Sequence, residues 1–343
     1  MIERLHLHNF TAFEDLELTF SPGVNVLIGG NGTGKTHVLK AIYGLIRGPS
    51  RSGWGADGIP DSVLKVFLPL DNDLSRLQRT QDNSTIVETT ISGYGQLDFR
   101  LPLPDGSAKL RFPNAAQKIT GKNVLFMPAK DLIGHAKGLR SILKLYQTAF
   151  DQTYTDILDI AFLPSLQEEN QLFQPILEKL KHYMGGGVPK VEEDQYFLNH
   201  NGKEIEFNLV AEGWRKIAVF WYILRNYPHL VSGDVILWDE PEANLNPSTL
   251  KGLAECLSDL SKLGLQIIVA THSYVLLKEL EIHEAKDLKF ISLYTTEQQG
   301  VKASVATSYE GIEHNLIEKE FERIYRLDLG SWLERDNDGH QGR

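Results

Sequence analysis

The chain has 343 residues, of which 42% are hydrophobic and 23% charged, an ordinary soluble composition with enough length for two or three lobes. A net charge of −10 argues against a protein coated in basic surface for nucleic acid. The single cysteine, Cys256, excludes a disulfide framework and a multi-cysteine zinc site and fits a reducing cytoplasm. No uncharged apolar run is long enough to span a bilayer, and the opening Met1 to His6 lacks the layout of a signal peptide, so no membrane role is expected.

Glu3 to Leu7 and Leu16 to Phe20 alternate as strands, and Ser21-Pro22-Gly23 turns the chain into an apolar strand, Val24 to Ile28. A helix starting near His37 is expected to end between Gly44 and Gly48, with the Gly-, Ser- and Pro-rich stretch from Arg47 to Pro60 as a loop or an insertion boundary. Thr85 to Leu103 reads as two strands about a Gly93-Tyr94-Gly95 turn, and Val124 to Met127 as a buried strand closed by Pro128. Residues 132–183 have helical periodicity broken at Pro164 and Pro175. A hairpin turned at Asn201-Gly202 follows. From Gly213 the order is helix, strand, helix, strand, helix. The two strands, Val235 to Trp238 and Gln266 to Ala270, are continuous apolar runs suited to a parallel sheet.

Chemistry concentrates at Gly29-Gly30-Asn31-Gly32-Thr33-Gly34-Lys35-Thr36, a complete G-x-x-x-x-G-K-[ST] phosphate loop between a strand and a helix. Its glycines let backbone N–H groups point at phosphate oxygens beside a helix N-terminus. Lys35 is placed to reach the β- and γ-phosphates and Thr36 to ligate Mg²⁺, with His37 following in the same loop. The apolar strand ending in Asp239-Glu240 supplies the complementary acids: Asp239 for the Mg²⁺ shell and Glu240 as general base for water. ATP and Mg²⁺ are the expected cofactors.

Asp239 to Pro247, together with Ala270-Thr271-His272-Ser273 after the next strand, resembles the ATP-binding-cassette superfamily and more closely its SMC/RecF-like branch. The resemblance implies an α/β fold: an ABC-type ATPase head with a mixed sheet plus a largely helical insertion. It makes Asn244-Leu245-Asn246 the D-loop and His272 a switch residue sensing γ-phosphate. Phe10 and Phe13 match that branch's aromatic entry into the sheet, where they are candidates for contact with the base. The superfamily's signature turn, which touches ATP on a partner subunit, corresponds to Ala211-Glu212-Gly213, with Ala211 where serine is usual. Losing that hydroxyl removes one hydrogen bond to a charged group, worth roughly 1.5–3 kcal/mol. Asp131, in Pro128-Ala129-Lys130-Asp131, stands where the family's Q-loop residue would reach the metal.

The interval between Lys35 and Gly213 lacks a heptad pattern, and the stretch after His272 is short for a Toprim nuclease domain. Asp336 and Asp338 are spaced like a metal pair but lie in a polar tail, which argues against a nuclease role. Residues 1–48 and 205–330 are expected to form the head, 49–204 the insertion, and 331–343 a disordered tail. Eight basic residues and one acid lie between Lys109 and Lys144, and Lys137, Arg140 and Lys144 fall on one helical face, a candidate contact for a nucleic-acid backbone. The motif combination also resembles stand-alone prokaryotic ATPases, many of which act in anti-phage defence. That resemblance implies a head-to-tail pairing of two chains and a separate effector, nuclease or toxin. A DNA-maintenance ATPase of RecF type and a non-hydrolysing, ATP-propped scaffold are the alternatives.

Overall fold

The computed structural model describes residues 1–52, 58–81, 84–101, 123–135, 138–146, 149–166, 171–193, 195–227, 230–297 and 300–340. Among these the strands form three sheets. The first is antiparallel and contains β1 (Ile2–Phe10), β2 (Phe13–Thr19), β4 (Thr85–Ile91) and β5 (Gly95–Leu101) in the order β2-β1-β4-β5. The central sheet contains β3 (Val24–Gly29), β6 (Val124–Met127), β10 (Val235–Asp239), β11 (Gln266–Ala270), β12 (Lys289–Thr296) and β13 (Gly300–Ala306). Its order is β13-β12-β3-β11-β10-β6, parallel throughout except for β13 at one edge. The third pairs β7 (Val188–Glu192), β8 (Gln195–His200) and β9 (Lys203–Glu206).

The helices are α1 (Lys35–Ser52), α2 (Gly58–Phe67), α3 (Leu139–Leu145), α4 (Gln152–Ala161), α5 (Gln174–Tyr183), α6 (Glu212–Asn226), α7 (Pro247–Lys262), α8 (Tyr274–Ile282) and α9 (Leu316–His340). The two-residue period of the central strands deals their side chains into two cores. Val24, Val26, Ile28, Ile236, Trp238, Ile267 and Val269 face a core built with α4 to α8. Leu27, Val235, Leu237, Ile268 and Ala270 face another, built with α1, α2 and the first sheet. Each central strand is therefore apolar on both faces, which is why its sequence runs apolar without alternation.

Gln266 ties the first sheet to the central one. Its Oε1 accepts from the Ile2 N–H at 2.6 Å, and its Nε2 donates to the Ile2 carbonyl at 2.7 Å and to the Ser21 carbonyl at 2.7 Å. A fully buried amide is tolerable because its polar atoms are bonded this way.

Several expectations are corrected. β4 and β5 extend the sheet begun by β1, and β6 pairs with β10, so the boundary expected at residue 49 does not separate these strands from the head. Gly44 does not stop α1. It admits α2, since a Cβ there would already touch Val63 at 3.4 Å. Pro175 opens α5 near its first turn, where its missing N–H costs nothing. α9 continues to His340 through most of the expected disordered tail, and only 341–343 lie outside the described residues. β7, β12 and β13 were not anticipated. No described helix is long and apolar enough to cross a membrane.

Candidate functional site

β3 delivers the phosphate loop at its C-terminal end, where parallel strands present ligand sites. Gly29 has φ +149°, and a Cβ there would stand 2.3 Å from the Leu293 carbonyl oxygen. Gly34 has φ +84°, and a Cβ would meet the Phe13 ring at 2.5 Å. Both positions need glycine on two counts. Lys35 is 8% exposed. Its Nζ donates to the Gly29 carbonyl at 2.9 Å and the Gly30 carbonyl at 3.1 Å, folding the ammonium into the cradle it would share with a phosphate. Burial lowers its pKa, opposed by Asp239, Glu240 and Glu242. Thr33 Oγ1 closes the loop by donating to the Gly30 carbonyl at 2.9 Å. Asn31 and Gly32 remain exposed at its tip.

The two ends of the candidate metal site meet. Thr36 Oγ1 donates to Asp239 Oδ2 at 2.8 Å, although the residues are far apart in sequence. Asp239 is 7% exposed, and burial pushes its carboxyl up to about 6 against the lowering effect of the Thr36 bond. A carboxylate so disfavoured in its charged form, with a hydroxyl beside it, fits a cation with oxygen ligands. Thr36 and Asp239 are the residues that would hold Mg²⁺. No cluster of three or more His, Cys, Asp or Glu suited to a metal occurs among the described residues.

Glu240 follows immediately in a left-handed conformation, φ +46°, which lets the chain turn sharply off β10. Its N–H donates to the Ala270 carbonyl at 2.8 Å, which joins the ends of β10 and β11. His272, just beyond β11, is half-buried, and its N–H donates to Glu242 Oε1 at 2.6 Å. Burial and then the Lys35 charge lower its pKa, which favours a neutral imidazole in a site where Glu240 and Glu242 pull the other way. The other Glu242 oxygen is buried without a hydrogen-bond partner.

The candidate signature segment lies at the start of α6. Ala211 occupies the N-cap with no side-chain cap bond, and both Ala211 and Glu212 are exposed. A serine there would cap the helix, so the alanine leaves first-turn N–H groups open. Asn244, φ +64°, donates from Nδ2 to Glu212 Oε1 at 2.8 Å. Leu245 is half-buried, and Asn246 caps α7 by accepting from the Ser248 N–H at 3.0 Å. The candidate D-loop is thus joined to the candidate signature turn of its own chain.

Other candidates are placed elsewhere. Phe10 and Phe13 are fully buried core residues, not base contacts. The His37 ring packs edge-on to Phe67 at 5.7 Å between centroids, and its Nδ1 is buried without a partner. Asp131 Oδ1 accepts from the Ile133 N–H at 2.8 Å, while Oδ2 lies 3.2 Å from Arg215 Nε. That second contact is close enough for an ion pair but is not aligned as a hydrogen bond. Its carboxylate is committed to a turn and a cation, which weighs against a direct metal role. Arg140 pairs with Asp159 at 2.9 Å. Lys137 and the side chain of Lys144 lie outside the described residues, as do Lys109, Arg111, Lys118 and Lys122.

Sequence reasoning passed over Lys216, which is 7% exposed and donates from Nζ to the carbonyls of Glu240 at 2.7 Å and Ala243 at 3.4 Å. Burial lowers its pKa to about 8, opposed by Glu242, Asp131, Glu240 and Asp239. The available signal was a basic pair, Arg215-Lys216, directly before the apolar run Ile217 to Leu224. Tyr154 was also missed: burial and the charges of Asp151 and Asp239 push its phenol up to about 12.

Comparison with known proteins agrees with this geometry. Residues 139–278 match the family described as "AAA domain, putative AbiEii toxin, Type IV TA system", and residues 4–96 match a second AAA-domain family. The DNA replication and repair protein RecF of Pediococcus pentosaceus is 31% identical over 180 residues, covering 46% of this chain and 48% of that protein. RecF of Carboxydothermus hydrogenoformans is 28% identical over 156 residues, 45% of this chain and 40% of that one. The chain thus spans under half the length of these curated relatives. Among solved structures, an Smc head bound to the C-winged helix domain of ScpA aligns with a TM-score of 0.56 at 16% identity, covering 90% of this chain and 98% of that one. An Smc head with an extended coiled coil, bound to the C-terminal domain of ScpA derived from Pyrococcus furiosus, aligns at 0.51 and 13% identity over 95% and 99%. These two likenesses carry the fold. The chain is thus similar in sequence to RecF over less than half of its length and shares the fold of the Smc head.

Proposed function

We propose that the chain binds ATP with Mg²⁺, hydrolyses it slowly, and uses nucleotide state to pair two copies head to tail. The observation that carries this reading is the 2.8 Å bond between Thr36 and Asp239, which brings phosphate loop and acid strand into one site. In it Lys35 trades the Gly29 and Gly30 carbonyls for phosphate oxygens, a short move within an existing cradle. Glu240 accepts a proton from the attacking water, and His272 donates to the γ-phosphate from the adjoining strand end. Bound Mg²⁺ supplies positive charge that offsets charge on the phosphates. The exposed tip of α6 offers open N–H groups and a helix N-terminus to ATP on the second copy.

The effector reading follows from the defence-type resemblance. The paired state is proposed to regulate a separate nuclease or toxin, in keeping with a matched family whose description names a toxin. A DNA-maintenance role has its own support in the RecF likeness. Turnover stimulated by DNA without any second protein favours the maintenance role; turnover unmoved by DNA favours the effector role.

The test is phosphate release by the wild type, Lys35→Ala and Glu240→Gln with Mg²⁺. Lys35→Ala should lose ATP binding, because it removes the charge that the loop is built around. Glu240→Gln should bind ATP normally and lose turnover by about 10²–10⁴-fold. Wild-type turnover in Glu240→Gln would overturn the assignment of the base.

A further inference from the structure

The first two turns of α6 grip three places in the head. Glu212 is bonded to Asn244, and Gly213 lies so close to the D-loop that a Cβ would stand 2.8 Å from the Asn244 carbonyl oxygen. Arg215 faces Asp131, and Gly134 leaves room for it, since a Cβ at Gly134 would stand 2.9 Å from the guanidinium carbon. Lys216 reaches the backbone at Glu240 and Ala243. A single short segment therefore joins the exposed signature tip to the turn that carries the candidate base.

Lys216 is the unusual member. A buried ammonium is costly to desolvate, and an apolar side chain of similar length would fill the space without that cost. Both bonds that the structure gives it run to backbone carbonyls, so its charge serves the course of residues 240–243 and not a surface ion pair. That course is one a side-chain-bearing residue disfavours, with Glu240 at φ +46°. The Ala243 N–H donates to the Glu240 carbonyl at 3.1 Å, and the Leu245 N–H donates to the Glu242 carbonyl at 3.0 Å, making two tight turns in succession. Lys216 supplies the Glu240 carbonyl with a second, charged donor, stronger than a neutral one.

We infer that Lys216 is a positioning residue for hydrolysis: by clamping the Glu240 and Ala243 carbonyls, it aims the Glu240 carboxylate and couples that aim to the position of the α6 tip. The inference rests on the reading of Glu240 as base. Its consequence is directional. Movement of the tip against nucleotide on a second copy pulls on the base of the same chain, so each site feels the occupancy of the other.

Lys216→Met and Lys216→Arg in the full chain test this, with Glu240→Gln as the reference for lost chemistry. ATP affinity is read with a fluorescent analogue, hydrolysis under single-turnover conditions, and amide exchange without nucleotide. Lys216→Met should leave affinity unchanged and slow hydrolysis by about a hundredfold, the scale of a small misplacement of a catalytic group. It should also speed exchange at the Ala243 and Leu245 amides and leave the Val38 amide of the phosphate-loop helix unmoved. Lys216→Arg should recover part of the rate. Normal turnover in Lys216→Met, or unchanged exchange at Ala243 and Leu245, would overturn the inference. So would faster exchange across the whole chain with affinity lost, the mark of a purely structural lysine. Failure of the underlying ATPase reading would look different: wild type would release no more phosphate than Glu240→Gln.

Discussion

The phosphate-loop half of the site and the signature half are built to different standards. In the first, Lys35 and Asp239 are buried and Thr36 is half-buried, and each has a hydrogen-bond partner within the chain at 3.1 Å or less. In the second, Ala211 and Glu212 are exposed, and the helix N-cap makes no side-chain bond. The contrast follows from what each half must hold. A phosphate loop meets its ligand within one chain and can be preorganised by its own core. In the proposed pairing the signature turn would complete its bonds on a second molecule, so its donors would stay open until then. Nucleotide affinity is therefore expected to be the robust property, and pairing the adjustable one.

The sharpest way to strain this contrast is at Asp239. Its folded pKa of about 6 lies above the ordinary value of 3.8, so the folded state holds its proton more tightly than the unfolded chain. The charged form thus destabilises the nucleotide-free fold, fully above about pH 6, with the penalty vanishing below the unfolded value. Asp239→Asn should stabilise the nucleotide-free protein at pH 7 by up to about 3 kcal/mol, the shift converted at 1.36 kcal/mol per unit. The gain should fade as pH falls from 6 towards 4, and Mg²⁺-dependent ATP binding should be lost. Thermal melts across that range check it. An Asp239→Asn protein less stable than the wild type at pH 7 would mean that the carboxylate is structural.

The signature half should respond in the opposite sense. Ala211→Ser supplies the missing cap and a hydroxyl for a partner's phosphate, and should tighten ATP-dependent pairing by up to roughly 1.5–3 kcal/mol without changing single-site ATP affinity. Sedimentation over a concentration series with a non-hydrolysable ATP analogue measures it. Unchanged association would place this turn away from the nucleotide. The smallest effect concerns Cys256, fully buried in α7, where burial pushes the thiol up to about 12. Alkylation at pH 8 should be negligible in the native protein and fast after denaturation. Rapid native labelling would show that the helical core opens more readily than the phosphate-loop side.

What the sequence disclosed follows the same division. Gly29 to Thr36 and Val235 to Glu240 were legible because their chemistry is local: a strand, a turn and a helix start within a few residues. Asp131 was not, because its environment depends on Arg215, which arrives from α6 and belongs to no motif near it. Lys216 was hidden for the same reason, since its partners are backbone carbonyls that carry no sequence signal. Phe10 and Phe13 were legible as aromatics at strand ends, but only packing against Phe67 and Gly34 decides that they fill core. The lobe boundary was missed because β4 and β5 read as an isolated hairpin, while their pairing with β1 is a long-range choice.

ATP binding in a buried, preformed site is proposed to drive pairing through an exposed one. Sedimentation velocity of Glu240→Gln, with and without MgATP, tests it most directly, because the bound nucleotide persists when the base is lost. The account predicts monomers without nucleotide and a dimer with MgATP, abolished by adding Lys35→Ala. A protein whose association state is the same with and without MgATP, while ATP demonstrably binds, would contradict it.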